Sequence, residues 1–193
     1  MQNMVYTVEL GVHVSLSYFA LMYSNMVEYN PKRFAAAVIR LDKPIVTMLL
    51  FSTGKVVCTA CKSSQDMYVA TGYLKKMLVD IGVYPQYVRS KLRNVVGNAA
   101  LGMNADLDYL ASKLREEACY ETELFPGLVY RPFSAEASLL VFQSGAIVIT
   151  GCKDEESFAN SMFHVERIKR IANEASAARK RGEHIHSYSK RML

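Results

Sequence analysis

Four stretches near the start of the chain read as strands, short and mostly apolar between polar or turn residues: 4–10, 35–41, 45–52 and 55–61. Two others follow the helical period. In 15–26 the apolar stripe is Leu16, Phe19, Ala20 and Tyr23, and Ser15 is placed to cap it. After Ser63 or Ser64 the stripe is Ala70, Tyr73, Leu74, Met77, Leu78 and Ile81, and Gly82 ends it. Lys43-Pro44 reads as a turn between two strands, and Ser52-Thr53-Gly54 as a hairpin into the next. The same order then recurs. Leu107, Leu110, Ala111 and Leu114 mark a helix, and a last helix starts near Asp154, where that carboxylate and Glu155-Glu156 suit a helix N-terminus.

The recurrence has a constant offset of 91 residues. Asn3 corresponds to Asn94, Val5 to Val96, Tyr29 to Tyr120, Phe34 to Phe125, Arg40 to Arg131 and Leu49 to Leu140. Phe51 corresponds to Phe142, Gly54 to Gly145, Val57 to Val148, Thr59 to Thr150, and Lys62 to Lys153. Between 29–62 and 120–153, 11 of 34 ungapped positions are identical, where chance gives about two. The pattern predicts an α+β fold of two pseudo-symmetric repeats: an antiparallel sheet with helices on one face. One core then spans 1–173, with repeats of about 1–91 and 92–173, followed by a basic tail at 174–193.

Helices on one face leave the other face of the sheet uncovered. Leu49 and Phe51, Val57 and Thr59, and Asn3 and Val5 are each two apart on their strands, so each pair shares a face. Leucine and valine alone would fit the helix-covered core as well. The duplicated Asn and Thr favour the uncovered face, because a buried polar group needs a partner. An apolar face with a few placed hydrogen-bonding groups suits a wide, dry binding surface.

Net charge is +5, unevenly spread. Residues 1–91 hold ten cations and five anions, residues 92–173 eight and eleven, and residues 174–193 five and two. A basic half implies a polyanionic partner, and an acidic half a basic protein surface. No apolar run approaches the ~20 residues of a membrane helix, and the N-terminus lacks a signal-peptide pattern, so a soluble intracellular protein with no membrane partner is expected.

The motifs YNPKRFAA, FSTGKVVCTACK, ELFPGLVYR and FQSGAIVITGCK, within a match running from about Gln2 to about Ile171, resemble the TATA-box-binding protein family. That resemblance implies a saddle whose concave sheet lies on the DNA minor groove and whose convex helices face other proteins. It implies that Asn3, Asn94, Thr59 and Thr150 hydrogen-bond base edges, and that Val5, Val96, Leu49, Leu140, Val57 and Val148 form the apolar contact surface. Phe34 with Phe51, and Phe125 with Phe142, are then wedges between base steps. Arg33, Arg40, Lys55, Lys62, Arg131 and Lys153 are expected on phosphates, and Glu121, Glu123 and Leu124 on a transcription factor IIB-like protein. The expected role is a general transcription initiation factor that bends TATA-like promoter DNA and nucleates preinitiation complex assembly. The alternative is a relative that keeps the fold and partner binding without TATA preference. Further expectations are a transcription factor IIA-like partner, a homodimer through the apolar face in the absence of DNA, and residence in the nucleus, or in a viral factory or virion for a large DNA virus.

The chain departs from the family at Ala146, where relatives carry lysine, and in the helix at 64–81, which keeps only Lys75 and Lys76 where relatives are richly basic. The tail, EASAARKRGEHIHSYSKRML, is read either as an extension of the last helix or as a solvated segment, with the solvated reading favoured over a DNA or partner contact. Cys58-x-x-Cys61 raises zinc, but residues three apart on a strand face opposite ways, and no second pair has suitable spacing. No nucleophile–base set, phosphate loop or paired carboxylates are discernible, so neither an enzyme nor a cofactor is expected; a DNA-processing enzyme would need a catalytic domain for which 193 residues leave no room.

Overall fold

The computed structural model describes residues 3–86 and 89–180. The chain forms two compact units, with the boundary between Asn94 and Val95. In the first, β1 (Asn3–Glu9) is followed by α1 (Leu16–Met22), β2 (Val27–Glu28), β3 (Ala36–Asp42), β4 (Ile45–Phe51), β5 (Lys55–Cys61) and α2 (Ser64–Asp80). The strand β6 (Arg89–Ala100) runs through the boundary. The second unit continues with α3 (Leu107–Leu114), β7 (Ala118–Cys119), β8 (Leu128–Tyr130), β9 (Ser138–Val141), β10 (Ala146–Cys152) and α4 (Glu155–Lys180). The strand order is β2-β3-β4-β5-β1 in the first unit and β6-β10-β9-β8-β7 in the second. The pairings within each unit are antiparallel, as the short turns between strands predict.

Each sheet buries one face. Met4, Tyr6, Val8, Val46, Met48, Leu50, Val56 and Cys58 pack beneath Met67, Ala70, Leu74, Met77 and Leu78 of α2 and Phe19 of α1. In the second unit Leu128, Tyr130, Leu139, Val141, Ile147 and Ile149 pack with α3 and α4. The starts of α2 and α4 are fixed by one device with its residue types exchanged. Ser63 Oγ accepts from Asp66 N (3.2 Å), while Asp66 Oδ2 accepts from Lys62 N and Ser63 N (2.8 and 3.2 Å). In α4, Asp154 Oδ1 accepts from Ser157 N (2.7 Å), while Ser157 Oγ accepts from Lys153 N and Asp154 N (3.1 and 3.2 Å). Either arrangement satisfies amides that a helix start leaves unpaired.

Three expectations need correction. The first helix stops at Met22, because the chain must turn into β2 at Val27. Ser15 stands at its N-cap without a side-chain hydrogen bond. Tyr73 is exposed rather than part of the buried stripe of α2, a role its neighbours Ala70, Leu74 and Met77 fill. Of the two readings of the tail, residues 174–180 follow the helical one: they extend α4, bury Ala175 and Ala178, and pin Arg179 Nη2 to Asp106 Oδ2 at 2.6 Å. The rest of that segment lies outside the described residues.

A polar network in the second unit has its own geometry. Arg167 Nη1 donates to Glu117 Oε2 (2.8 Å) and to Tyr130 Oη (2.7 Å), and Tyr130 Oη lies 3.1 Å from His164 Nδ1. Tyr130 receives from Arg167, so its own hydroxyl donates to Nδ1, which leaves the proton of neutral His164 on Nε2, 3.4 Å from Ser134 Oγ. Burial, and after it the Arg167 charge, hold the His164 pKa below its ordinary value. Burial opposes the charge on Glu117, but hydrogen bonds from Arg167 and from Phe133 N, together with the arginine charge, bring its pKa below the ordinary carboxylate value.

Candidate nucleic-acid interface

The uncovered face of each sheet carries the residues that the repeat singles out. Asn3, Val5, Leu49, Phe51, Val57 and Thr59 are all half-buried, on the side away from the core, and so are Asn94, Val96, Leu140, Phe142, Val148 and Thr150. Register aligns them into rows. In the first unit Val38 stands opposite Leu49, Leu49 opposite Val57, and Val57 opposite Thr7. In the second, Val129 stands opposite Leu140, Leu140 opposite Val148, and Val148 opposite Asn98. A neighbouring row runs Arg40, Thr47, Thr59. Val38, Val129, Thr7, Asn98 and Thr47 were not singled out in the sequence. Val38 and Val129 carried a signal, being identical at the same offset; Thr7 and Asn98 emerge only from register.

A bulge turns each row into a platform. Two steps along β1, Met4 to Tyr6, face three along β5, Cys61 to Cys58, and two steps along β6, Gly97 to Val95, face three along β10, Ile149 to Cys152. The extra residue is Ala60 in one repeat (φ 65°) and Gly151 in the other (φ 84°). Asn3 Oδ1 accepts from Ala60 N at 2.9 Å. The oxygen of that amide is therefore committed, and its NH₂ remains as a donor on the open face. The bulge also corrects the reading of the cysteines. It returns Cys61 to the core side, so Cys58 and Cys61 are both buried and do not face opposite ways. Burial, with the neighbouring Cys61, pushes the Cys58 thiol up to about 12; burial, with the Asp66 charge, pushes that of Cys61 up to about 11. Both stay protonated core groups, where a metal ligand would be a thiolate.

The four phenylalanines form two edge-to-face pairs. Phe34 and Phe51 have ring centroids 6.3 Å apart, and Phe125 and Phe142 5.8 Å. Each pair joins the last residue or extension of a strand to a loop. The loops are built alike: Phe34 N donates to Asn30 O and Phe125 N to Glu121 O, both at 2.9 Å. Gly127 admits the tighter pair. A Cβ there would meet Phe125 Cε1 at 2.9 Å and Phe142 Cε1 at 3.2 Å; repeat one has Ala36 at that position and the wider separation. Phe34 is 45% exposed, a large apolar ring held in solvent. The hairpins beneath need their glycines. A Cβ on Gly54 (φ +77°) would lie 2.0 Å from Val12 O, and on Gly145 (φ +82°) 2.0 Å from Met103 O.

The cations expected on phosphates are exposed. Arg40 Nη1 meets Glu28 Oε1 at 2.8 Å, and Lys153 Nζ meets Glu136 Oε1 at 2.8 Å. Such surface pairs contribute little and exchange readily for another anion. Arg33, Lys55, Lys62 and Arg131 stand at the ends of strands or in the adjoining loops. In the loop before Phe125, Glu121 and Glu123 are exposed, and Leu124 is 80% exposed. Among the described residues no group of three metal-ligating side chains is gathered, and no helix is long and apolar enough to cross a membrane.

Residues 1–81 and 89–170 match the family model described as transcription factor TFIID (or TATA-binding protein, TBP). The chain is 41% identical over 157 residues to a TATA-box-binding protein of Tetrahymena thermophila, covering 81% of this chain and 63% of that protein. The chain thus spans a little under two-thirds of that relative. It is 40% identical over 154 residues to a TATA-box-binding protein of Acetabularia peniculus, covering 80% of each. The solved Methanococcus jannaschii TBP superposes with a TM-score of 0.76 at 36% identity, covering 90% of this chain and 97% of that one. These relatives belong to cellular organisms, and nothing in the matches supports a viral origin.

Proposed function

Because this chain belongs to the TATA-binding protein family, whose members are DNA-binding transcription factors and not enzymes, we propose that its open face binds the minor groove of TATA-like promoter DNA and bends it to nucleate preinitiation complex assembly. One observation carries the reading: each repeat ends its half-apolar face in a phenylalanine pair. A buried core has no use for Phe34 at 45% exposure. Apolar side chains that enter the minor groove and unstack base steps are a known property of this family, and unstacking costs a few kcal/mol per step. The rows through Leu49 and Val57, and through Leu140 and Val148, offset that cost by covering the widened groove. A·T pairs present only acceptors in that groove, whereas G·C pairs add an amino donor that an apolar surface leaves unpaired. The free NH₂ of Asn3 suits such acceptors.

On this reading the exposed Arg and Lys groups reach phosphates, and Glu121, Glu123 and Leu124 face a transcription factor IIB-like protein. In a eukaryotic host the site of action is the nucleus. A gel-shift and bending assay compares TATA and GC-rich duplexes. Preferential binding and bending of the TATA duplex is expected, with the bend lost in Phe125→Ala/Phe142→Ala. Equal, unbent binding of both duplexes would overturn the TATA reading in favour of a relative without that preference. A double variant that still bends DNA would remove the wedge assignment. In the same gels Glu123→Arg should keep the DNA complex and lose the supershift by the IIB-like factor; an unchanged supershift counts against that surface.

A further inference from the structure

The first half of β6 carries a charge pattern that the proposed interface does not use. Arg89, Lys91 and Arg93 occupy alternate positions, about 6.6 Å apart along the strand, and all three are exposed. They line one cleft of about 200 Å³ together with Thr7 and Glu9, entirely within the first unit. The cleft is organised by hydrogen bonds. Arg93 Nε donates to Thr7 Oγ1 at 2.8 Å, and Thr7 Oγ1 donates to Lys91 O at 3.5 Å. That holds the Arg93 guanidinium by one edge and leaves its terminal NH₂ groups for another acceptor. Thr7 is the outermost member of the row that starts at Val38. Lys55 stands opposite Glu9 at the same strand ends. Four cations therefore flank the end of the apolar row, with Glu9 as the carboxylate among them. Like charges at neighbouring positions repel, and a bound anion relieves that repulsion.

We propose that Arg89, Lys91 and Arg93 bind backbone phosphates of the DNA whose minor groove meets the row ending at Thr7. This inference rests on the DNA-binding reading above. A strip that receives base edges must be flanked by the sugar-phosphate backbone, and β1 leads from the strip (Val5, Thr7) straight to these cations. The forked Arg93, fixed at Nε, offers paired donors to one phosphate, and Arg89 and Lys91 extend the contact along the strand.

The test measures affinity for a TATA duplex across a salt series. Each phosphate contact adds about 0.9 to the slope of log affinity against log salt. Arg89→Gln/Lys91→Gln should reduce the slope by about two and weaken binding roughly 10- to 100-fold near 0.1 M salt. Lys91→Gln alone should reduce it by about one. Lys75→Gln/Lys76→Gln on α2 makes the same change in net charge and should leave the slope unchanged. Thermal melts confirm that each variant is folded. If wild type binds and the β6 variants keep its slope, this inference is overturned and the DNA-binding reading stands. If the α2 control lowers the slope equally, the effect is net charge and the cleft is not a contact. If wild type binds no duplex, both readings fall.

Discussion

Repeat one places Met26, Ile39, Tyr73 and Lys76 where repeat two places Glu117, Tyr130, His164 and Arg167. The first set leaves Met26 and Tyr73 each 47% exposed, beside Leu21 at 72% and Met22 at 53%. The second set is the hydrogen-bonded network, and its counterparts of Leu21 and Met22 are Ser112 and Lys113. Packing has drifted in the same way. Tyr6 on β1 corresponds to Gly97 on β6, and Met67 on α2 to Phe158 on α4. Bulk has moved from strand to helix: a Cβ on Gly97 would lie 2.3 Å from Phe158 Cζ. The open faces have not drifted so. Asn3, Val5, Val38, Leu49, Phe51, Val57 and Thr59 all recur there, and the exceptions, Thr7 with Asn98 and Thr47 with Ser138, keep a polar group. Compensated swaps keep core volume and stability, so a core tolerates divergence. A surface that must meet the same kind of ligand twice has fewer solutions.

The two hairpin glycines test the conserved side of that comparison and should give the largest effects. Gly54→Ala and Gly145→Ala each force a Cβ against a backbone carbonyl at positive φ. Each is expected to cost about 3 kcal/mol or more, and the two should agree within about 1 kcal/mol. Urea unfolding measures both. A loss below about 1 kcal/mol in either would show that the turn can relax and that the identity of these glycines has another cause.

The network tests the divergent side. Arg167→Met strands Glu117, whose side chain is only 15% exposed, and takes a donor from Tyr130. A loss of about 2 kcal/mol follows. Glu117→Met/Arg167→Lys copies repeat one and should lose less than the two single changes added together; strict additivity would mean that the pair does not act as a unit. The network also sets a pH dependence. His164 titrates lower in the folded state than in the unfolded chain, so its contribution is present above about 6.5 and is lost as pH falls below it. Glu117, also lowered, acts in the same direction further into the acid range. The stability gap between wild type and His164→Tyr should therefore narrow between pH 7.5 and 5.5. A constant gap would mean that His164 does not titrate as its surroundings dictate.

The local pattern was enough for strands and helices, because short apolar runs between turn residues and the 3.6-residue stripe reflect burial directly. The start of α2 was legible at Ser63 for the same kind of reason: local chemistry decided it. The face that carries Leu49, Phe51 and Thr59 was legible because duplication marked it. What the chain did not reveal was long-range. Whether Thr7 lies beside Val57 depends on register, and whether Cys58 and Cys61 share a face depends on one extra residue in β5. The exposed side of Tyr73 was hidden by its place beside the true stripe. Residues 174–180 read as tail or helix from composition alone; burial of Ala175 and Ala178 and the Arg179–Asp106 pair accompany the helix.

The bulge itself offers the smallest and most direct comparison between repeats. Ala60 and Gly151 occupy the same extra position with φ of 65° and 84°. An alanine in that region carries a penalty of about 1–2 kcal/mol that glycine does not, although glycine also loses more entropy on folding. Ala60→Gly should therefore gain about 1 kcal/mol or slightly less. Gly151→Ala should lose a similar amount, because a Cβ there meets only ordinary or slightly tight contacts, 3.3 Å from Glu136 O and 3.8 Å from Ser138 N. The amide of Ala60 is held by Asn3 whichever residue stands there, since the bond runs to the backbone. The gain in Ala60→Gly should thus appear in stability alone, with the orientation of Asn3 and affinity for a TATA duplex unchanged. If Ala60→Gly raised stability but weakened DNA binding, the strained alanine would be holding the platform in shape for its ligand. The penalty at position 60 would then belong to the interface and not to drift between the repeats.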